Sequence, residues 1–175
     1  AISHNNSDSI SVLLGNGNFT LQASVKYFSG NMPQELAAGY LNTDNNLDLV
    51  VTNYDDNTVS VLAGNANGTF QTAIVKSTGA NPSRIALADL NGDGKQDITV
   101  LNSNADNIGI LLNSGSLNFQ AQSTYSFSAS QGPTDIAVAK ITADTIYDLL
   151  VTLSIGDKVA LFVGNGNGTF QSPVY

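Results

Sequence analysis

Along PSRIALADLNGDGKQDITVLNSNADNIGILLNSGSLNFQ, residues 82–120, apolar positions come in short bursts separated by turn chemistry. Arg84–Leu90 alternates between polar and apolar, Asp97–Leu101 is β-branched and apolar, and Ile108–Leu112 is a second apolar run. Phe119–Phe127 completes the set, while SNAD and NSGSLN supply the Asn, Gly and Ser that close hairpins. The pattern predicts four strands, the middle ones apolar on both faces, and no helical period outlasts a single turn. A small sheet apolar on both sides must be sandwiched between two others.

The same pattern recurs. PQELAAGYLNTDNNLDLVVTNYDDNTVSVLAGNANGTFQ begins at Pro33, and PTDIAVAKITADTIYDLLVTLSIGDKVALFVGNGNGTFQ begins at Pro133. The three prolines lie 49 and then 51 residues apart, as do Asp48, Asp97 and Asp148. A fourth, incomplete copy, AISHNNSDSISVLLGNGNFTLQ, opens the sequence with Ala1 at the level of Val50, so it lacks its innermost strand. Radial stacking of four-stranded sheets is the usual solution for units that cannot bury their faces alone. The expected fold is therefore all-β: β-propeller blades of four antiparallel strands, about 3.75 of them, in one region spanning 1–175. The partial blade covers 1–28, and full blades cover about 33–78, 82–128 and 133–175. Propellers close with about four to eight blades. The count thus points to continuation into further repeats, or to self-association in which a second copy completes the ring.

Three features together carry a family resemblance: the Gly-x-x-Pro lead-ins Gly30–Pro33 and Gly79–Pro82, the run DLNGDGKQD at 89–97, and the G-N-x-N-G-T-F turns. The chain resembles the FG-GAP/VCBS repeats of integrin α-subunit propellers and extracellular adhesion proteins. The resemblance implies a propeller with Ca²⁺ held in the loop between the first and second strands of selected blades.

The residues of that loop point the same way by themselves. Only 11% of the chain is charged, yet Asp89, Asp93 and Asp97 fall within nine residues. Such neighbours repel by up to ~4 kcal/mol per pair at 4 Å in a protein-like medium. A hard cation wanting about six to eight oxygens compensates. Asp89, Asn91, Asp93 and Asp97 offer side-chain oxygens, Lys95 its backbone carbonyl, and Gly94 a left-handed turn. The competing explanation is a set of Asx turns that bond their own backbone without metal. A weaker candidate is Asn42, Asp44, Asn46 and Asp48, where Tyr40 replaces the first acid. In the last copy Lys140 and Thr142 replace two donors beside Asp144 and Asp148, and the Lys140 ammonium is expected to neutralise that pair without metal.

Composition narrows the function. A net charge of −8 with six Lys+Arg cannot build the basic face that nucleic acid needs. No apolar run reaches the ~18 residues of a membrane span, and no signal-peptide pattern opens the sequence. Without cysteine there are no disulfides, thiolate sites or thiol chemistry. The single histidine, His4, sits in a polar turn and supports no catalytic triad. Glycosylation sequons at Asn5, Asn18, Asn67 and Asn167 agree with an extracellular or cell-surface setting. Phe19, Phe70, Phe119 and Phe170 are expected to pack between blades, with Tyr27, Tyr125 and Tyr175 packed on strands and Tyr54 at a turn. The expectation is a non-enzymatic, extracellular, calcium-binding propeller segment for adhesion or for recognition of a protein or other ligand. A carbohydrate-binding propeller and a structural repeat of a surface polymer are the alternatives. Few aromatic platforms favour the sugar reading, since the chain has no Trp.

Overall fold

In the computed structural model, residues 1–127 and 130–175 are described, and every regular element among them is a strand. The upper limit of the third blade at 128 lies outside the described residues. Four antiparallel sheets follow one another in chain order. The first has three strands, β1 (Ile2–His4), β2 (Ser9–Val12) and β3 (Val25–Phe28). The second holds β4 (Pro33–Gly39), β5 (Asp48–Asn53), β6 (Thr58–Leu62) and β7 (Ile74–Ser77). The third repeats it as β8 (Pro82–Ala88), β9 (Asp97–Asn102), β10 (Asn107–Leu111) and β11 (Ser123–Ser126). The fourth has β12 (Pro133–Ala139), β13 (Asp148–Leu153) and β14 (Lys158–Phe162).

Register confirms the repeat. Asp48, Asp97 and Asp148 pair with Gly39, Ala88 and Ala139, each at the end of the first strand of its blade. The hairpin after the second strand closes on an Asp or Asn with positive φ in every sheet: Asp8 at 49°, Asn57 at 55°, Asp106 at 54° and Asp157 at 50°. These side chains tolerate the left-handed region better than other non-glycine residues, so the turn chemistry and the strand pattern agree.

The core lies between sheets. Ile10 and Val12 pack with Leu49, Val51 and Leu62; Val50, Val59 and Val61 pack with Ile98 and Val100; Leu101, Ile108 and Ile110 pack with Leu149, Val151 and Phe162. Along a central strand, alternate residues therefore serve opposite neighbours, which explains a continuous apolar run where a one-faced sheet would alternate. The principal contacts link successive full sheets through their inner strands β4, β8 and β12, while β1, which corresponds to the second strand β5, packs on β4, and the arc does not close.

Three expectations are corrected. The run Phe119–Phe127 is not one strand: Phe119 makes a single bridge to Asn113, and the ladder starts only at Ser123. In the last blade the fourth strand is reduced to one bridge, Leu161 with Val174. Phe19 does not share the position of Phe70, Phe119 and Phe170. Leu21 does, bridging Gly15 as Phe70 bridges Gly64. Phe19 instead takes the left-handed place of Gly68 and Gly168, with φ 65°, and stands fully in solvent. The other phenylalanines pack as expected, and Tyr27 and Tyr125 meet Phe70 and Phe170 edge-on at 5.5 Å.

Candidate metal centre

The loop 89–97 joins β8 to β9 at one end of the third sheet. Its short polar side chains bond the backbone of their own loop. Asp89 Oδ1 accepts the Gly92 and Asp93 N–H groups at 2.8 and 3.1 Å, and Asp89 Oδ2 accepts that of Gly94 at 2.8 Å. Asn91 Oδ1 accepts the Asp93 N–H at 3.0 Å, and Asp93 Oδ1 accepts that of Lys95 at 3.0 Å. Gly94 makes this winding possible, its φ of 82° being one that a Cβ disfavours.

Asp97 does something different. It is fully buried, and each carboxylate oxygen receives one backbone N–H: Leu90 to Oδ2 at 2.9 Å and Asn113 to Oδ1 at 2.8 Å. It thereby ties the start of the loop to the turn that follows β10. Asp48 makes the same pair of bonds with Leu41 and Gly64, and Asp148 with Ile141 and Gly164. Sequence reasoning read Asp97 and, more weakly, Asp48 as ligands, expected Asp148 in a loop without metal, and missed the clamp in all three. The available signal was their recurrence in copies that had lost the other donors.

The clamp's environment differs between copies. Burial pushes the Asp97 carboxyl above the usual carboxylate range, against the lowering effect of the Asn113 and Leu90 N–H groups. The nearby charges of Asp93 and Asp89 push it further up. Burial likewise raises Asp48. At Asp148 burial also acts upward, but the N–H groups of Gly164, Thr142 and Ile141 together outweigh it and hold the carboxyl below its ordinary value.

Whether a cation fits depends on which oxygens retain a free direction. Lys95 Nζ lies 2.8 Å from Asp93 Oδ2, an ion pair that holds the Asp93 carboxyl low. Asp89 and Asp97 meet no cationic side chain within salt-bridge distance among the described residues. Among those residues no three His, Asp or Glu side chains are gathered closely enough to hold a metal. In kind the donors fit a hard cation: Asp89 Oδ1 gives both lone pairs to the Gly92 and Asp93 N–H groups, but Asp89 Oδ2, Asp93 Oδ1 and both Asp97 oxygens accept one N–H each and keep a second lone pair. Binding requires Lys95 to leave Asp93 and the carboxylates to draw together. A cleft of about 210 Å³ lined by Asp89, Gly92, Lys140 and Tyr147 opens beside the loop.

In the loop 42–48, Asn42 Oδ1 accepts the Asp44 N–H at 2.8 Å and Asp44 Oδ1 that of Asn46 at 2.9 Å, with Tyr40 exposed where Asp89 stands next door. In the last loop the Thr142 hydroxyl lies 3.0 Å from Asp144 Oδ1 and 3.2 Å from Asp148 Oδ2. Lys140 does not neutralise that pair. Its Nζ sits over the Tyr147 ring at 4.9 Å.

Asn113 is a further residue whose role the sequence pattern concealed. Gly64 and Gly164 hold its position elsewhere, where a Cβ would collide with the carbonyl oxygens of Leu47 and Tyr147. Asn113 instead donates from Nδ2 to Gln96 O at 3.1 Å and to Leu41 O of the preceding blade at 2.7 Å.

A succession of radially packed antiparallel sheets with this loop grammar defines a β-propeller-like repeat protein. Residues 40–100 and 89–151 match the FG-GAP-like repeat, and the chain belongs to that family. No curated protein sequence matches it significantly. A chain in the structure of the Photorhabdus luminescens Tc holotoxin pore superposes on 87% of this chain with a TM-score of 0.50 and 16% identity. This likeness concerns the fold, and the match spans 8% of that toxin chain.

Proposed function

We propose that the chain is a non-enzymatic, calcium-binding propeller segment that works outside the cell in adhesion or in recognition of a protein or other ligand. The observation that carries the reading is the loop 89–97, which places oxygen donors at alternate positions and leaves Asp89 without a cationic partner among the described residues. Asp89, Asn91, Asp93, the Lys95 carbonyl and Asp97 hold the ion, which acts by replacing mutual repulsion with shared attraction and so stiffens the end of the third blade. Polar loops on a rigid repeat scaffold then supply the contacts for recognition. The four sequons fit an extracellular setting: Asn5, Asn18 and Asn67 and Asn167 are all exposed, as glycosylation requires.

Calorimetric titration with CaCl₂ tests the calcium reading. One ion per chain is expected, with the heat abolished in Asp89→Ala and preserved in Asp144→Ala. A flat titration of the native chain, or heat that survives Asp89→Ala unchanged, overturns it.

A further inference from the structure

One register position on the outermost strands sets the middle blade junction apart from its neighbours. Tyr27 pairs with Ile10, Lys76 with Val59 and Tyr125 with Ile108. Ile10, Val59 and Ile108 each pack towards the following blade, and directly paired residues share a face, so the three partners look into the same kind of junction. A cleft opens at each one, of about 450, 420 and 300 Å³ in chain order. Each is lined by the paired residue and by Phe70, Phe119 or Phe170 of the next blade.

At the first and last of these junctions a tyrosine completes the contact. The Tyr27 hydroxyl accepts the Phe70 N–H at 3.3 Å and the Tyr125 hydroxyl that of Phe170 at 3.2 Å, with the rings edge-on. At the middle junction Lys76 holds that seat, and an ammonium cannot accept a hydrogen bond. The bonds flanking the Phe119 bridge run from Ser114 N–H to Asn118 O and from Gln120 N–H to Leu112 O. The Phe119 N–H therefore points out of the ladder, and no hydroxyl meets it among the described residues. Nor does Lys76 meet a carboxylate within salt-bridge distance among those residues. The rest of the wall includes Thr78, Leu111 and Gln122 and contains no acid. Two donors thus border one cleft, and the acceptor and ring found at the sister junctions are both missing.

We infer that the cleft between the second and third blades binds a small aromatic carboxylate. Its anionic oxygens accept the Phe119 N–H and pair with Lys76, and its ring lies against the Leu111 and Phe119 wall. The ligand thereby supplies from outside what Tyr27 and Tyr125 supply from within. Charge sets the choice of a carboxylate over a neutral phenol, because an ion-assisted hydrogen bond is the stronger kind. Lys76 has no ion pair to give up in turning to the ligand. A volume of about 420 Å³ suits such a molecule. Both walls belong to complete four-stranded sheets, and none of these residues lies in the loop 89–97, so binding is independent of calcium.

Proton–nitrogen correlation spectra of the labelled chain, titrated with phenylacetate in chelator, test the inference. The expected result is a saturating shift centred on the Phe119 amide, with its neighbours at 76–78 and 120–122. Lys76→Met is expected to weaken binding about tenfold or more, the worth of a hydrogen bond to a charged group. Lys76→Tyr is expected to abolish it by restoring the internal acceptor. Benzyl alcohol, with a ring and no charge, and acetate, with a charge and no ring, should each bind at least about tenfold more weakly than phenylacetate. An unmoved Phe119 amide, binding that either variant leaves intact, or an equal response to either analogue overturns the inference. Should a variant fail to fold, the analogues decide alone.

Discussion

The loops 89–97 and 140–148 occupy the same seat in consecutive blades and end on the same buried clamp, yet they are filled differently. In the third blade the first three alternate positions are Asp89, Asn91 and Asp93; in the fourth they are Lys140, Thr142 and Asp144. Where Asp89 caps three N–H groups of its loop, Lys140 turns away to the Tyr147 ring, and Thr142 takes over the bridging of carboxylates. The comparison separates two roles that the aspartate pattern runs together. The last aspartate fastens the loop to the sheet in each of the three blades that have the loop, with or without the other acids. Capacity for a cation resides in the variable positions ahead of it.

The largest effect that can break this separation comes from removing the clamp. Asp97→Ala strands the buried N–H groups of Leu90 and Asn113, and Asp148→Ala the buried N–H of Gly164 with the half-buried ones of Ile141 and Thr142, at ~1–3 kcal/mol per buried group. For a chain of this size the expected fall in Tm is roughly 10 °C. Scanning calorimetry in chelator should show similar losses for both. If Asp97→Ala is harmless without calcium, that aspartate is a ligand and not a clamp. Next in size is the ion itself. Calcium at 100 times its Kd stabilises a single site by ~2.7 kcal/mol, or roughly 5–10 °C. That shift should vanish in Asp89→Ala and persist in Asp144→Ala.

Acidity sharpens the contrast by sign. The native Asp97 carboxyl lies above its ordinary value of 3.8, so the folded state holds that proton more tightly than the unfolded chain. Its contribution is full below the unfolded value and is lost as pH rises through the native one. Asp148 lies below 3.8, so its contribution is present above that value and is lost as pH falls through the native one. In chelator, the stability margin of the native chain over Asp97→Asn should therefore grow from pH 7 to pH 4. Its margin over Asp148→Asn should hold down to the ordinary value of 3.8 and shrink as pH falls below it. Urea titrations carried from pH 7 to about pH 2 read both, and margins moving in the same direction would contradict the opposite shifts. The smallest effect is that of Lys140→Ala, expected to cost ~0.5–1 kcal/mol through the lost cation–π contact. A larger loss at high salt than at low salt would be inconsistent with an electrostatic contact.

Much of the fold was legible because each copy repeats its punctuation. Alternating strands, an acidic loop and an Asn/Asp hairpin at a fixed spacing leave few arrangements other than stacked small sheets. The misplacement of Phe19 arose because residue type suggested aligning aromatic with aromatic. Backbone geometry aligns φ with φ, and the left-handed corner fell on Phe19, as it did on Leu117 with φ 60°. The overlong strand at Phe119–Phe127 has a similar cause: apolar content continues through Ala121, but Gln120–Gln122 finds no partner ladder. Of the candidate site, the donors were visible and the clamp was not. An aspartate that accepts two backbone N–H groups from opposite ends of a blade looks, in one dimension, like any other acid in an acidic loop.

The hydrogen bond from Asn113 across to Leu41 O has a consequence for how such a protein can be recombined. Units that look interchangeable on paper are keyed to their seats, since transplanting the 82–127 module elsewhere would present its amide to a stranger and leave the Leu41 carbonyl without its donor. Shuffling whole repeats, in evolution or at the bench, must carry that lock and its keyhole together.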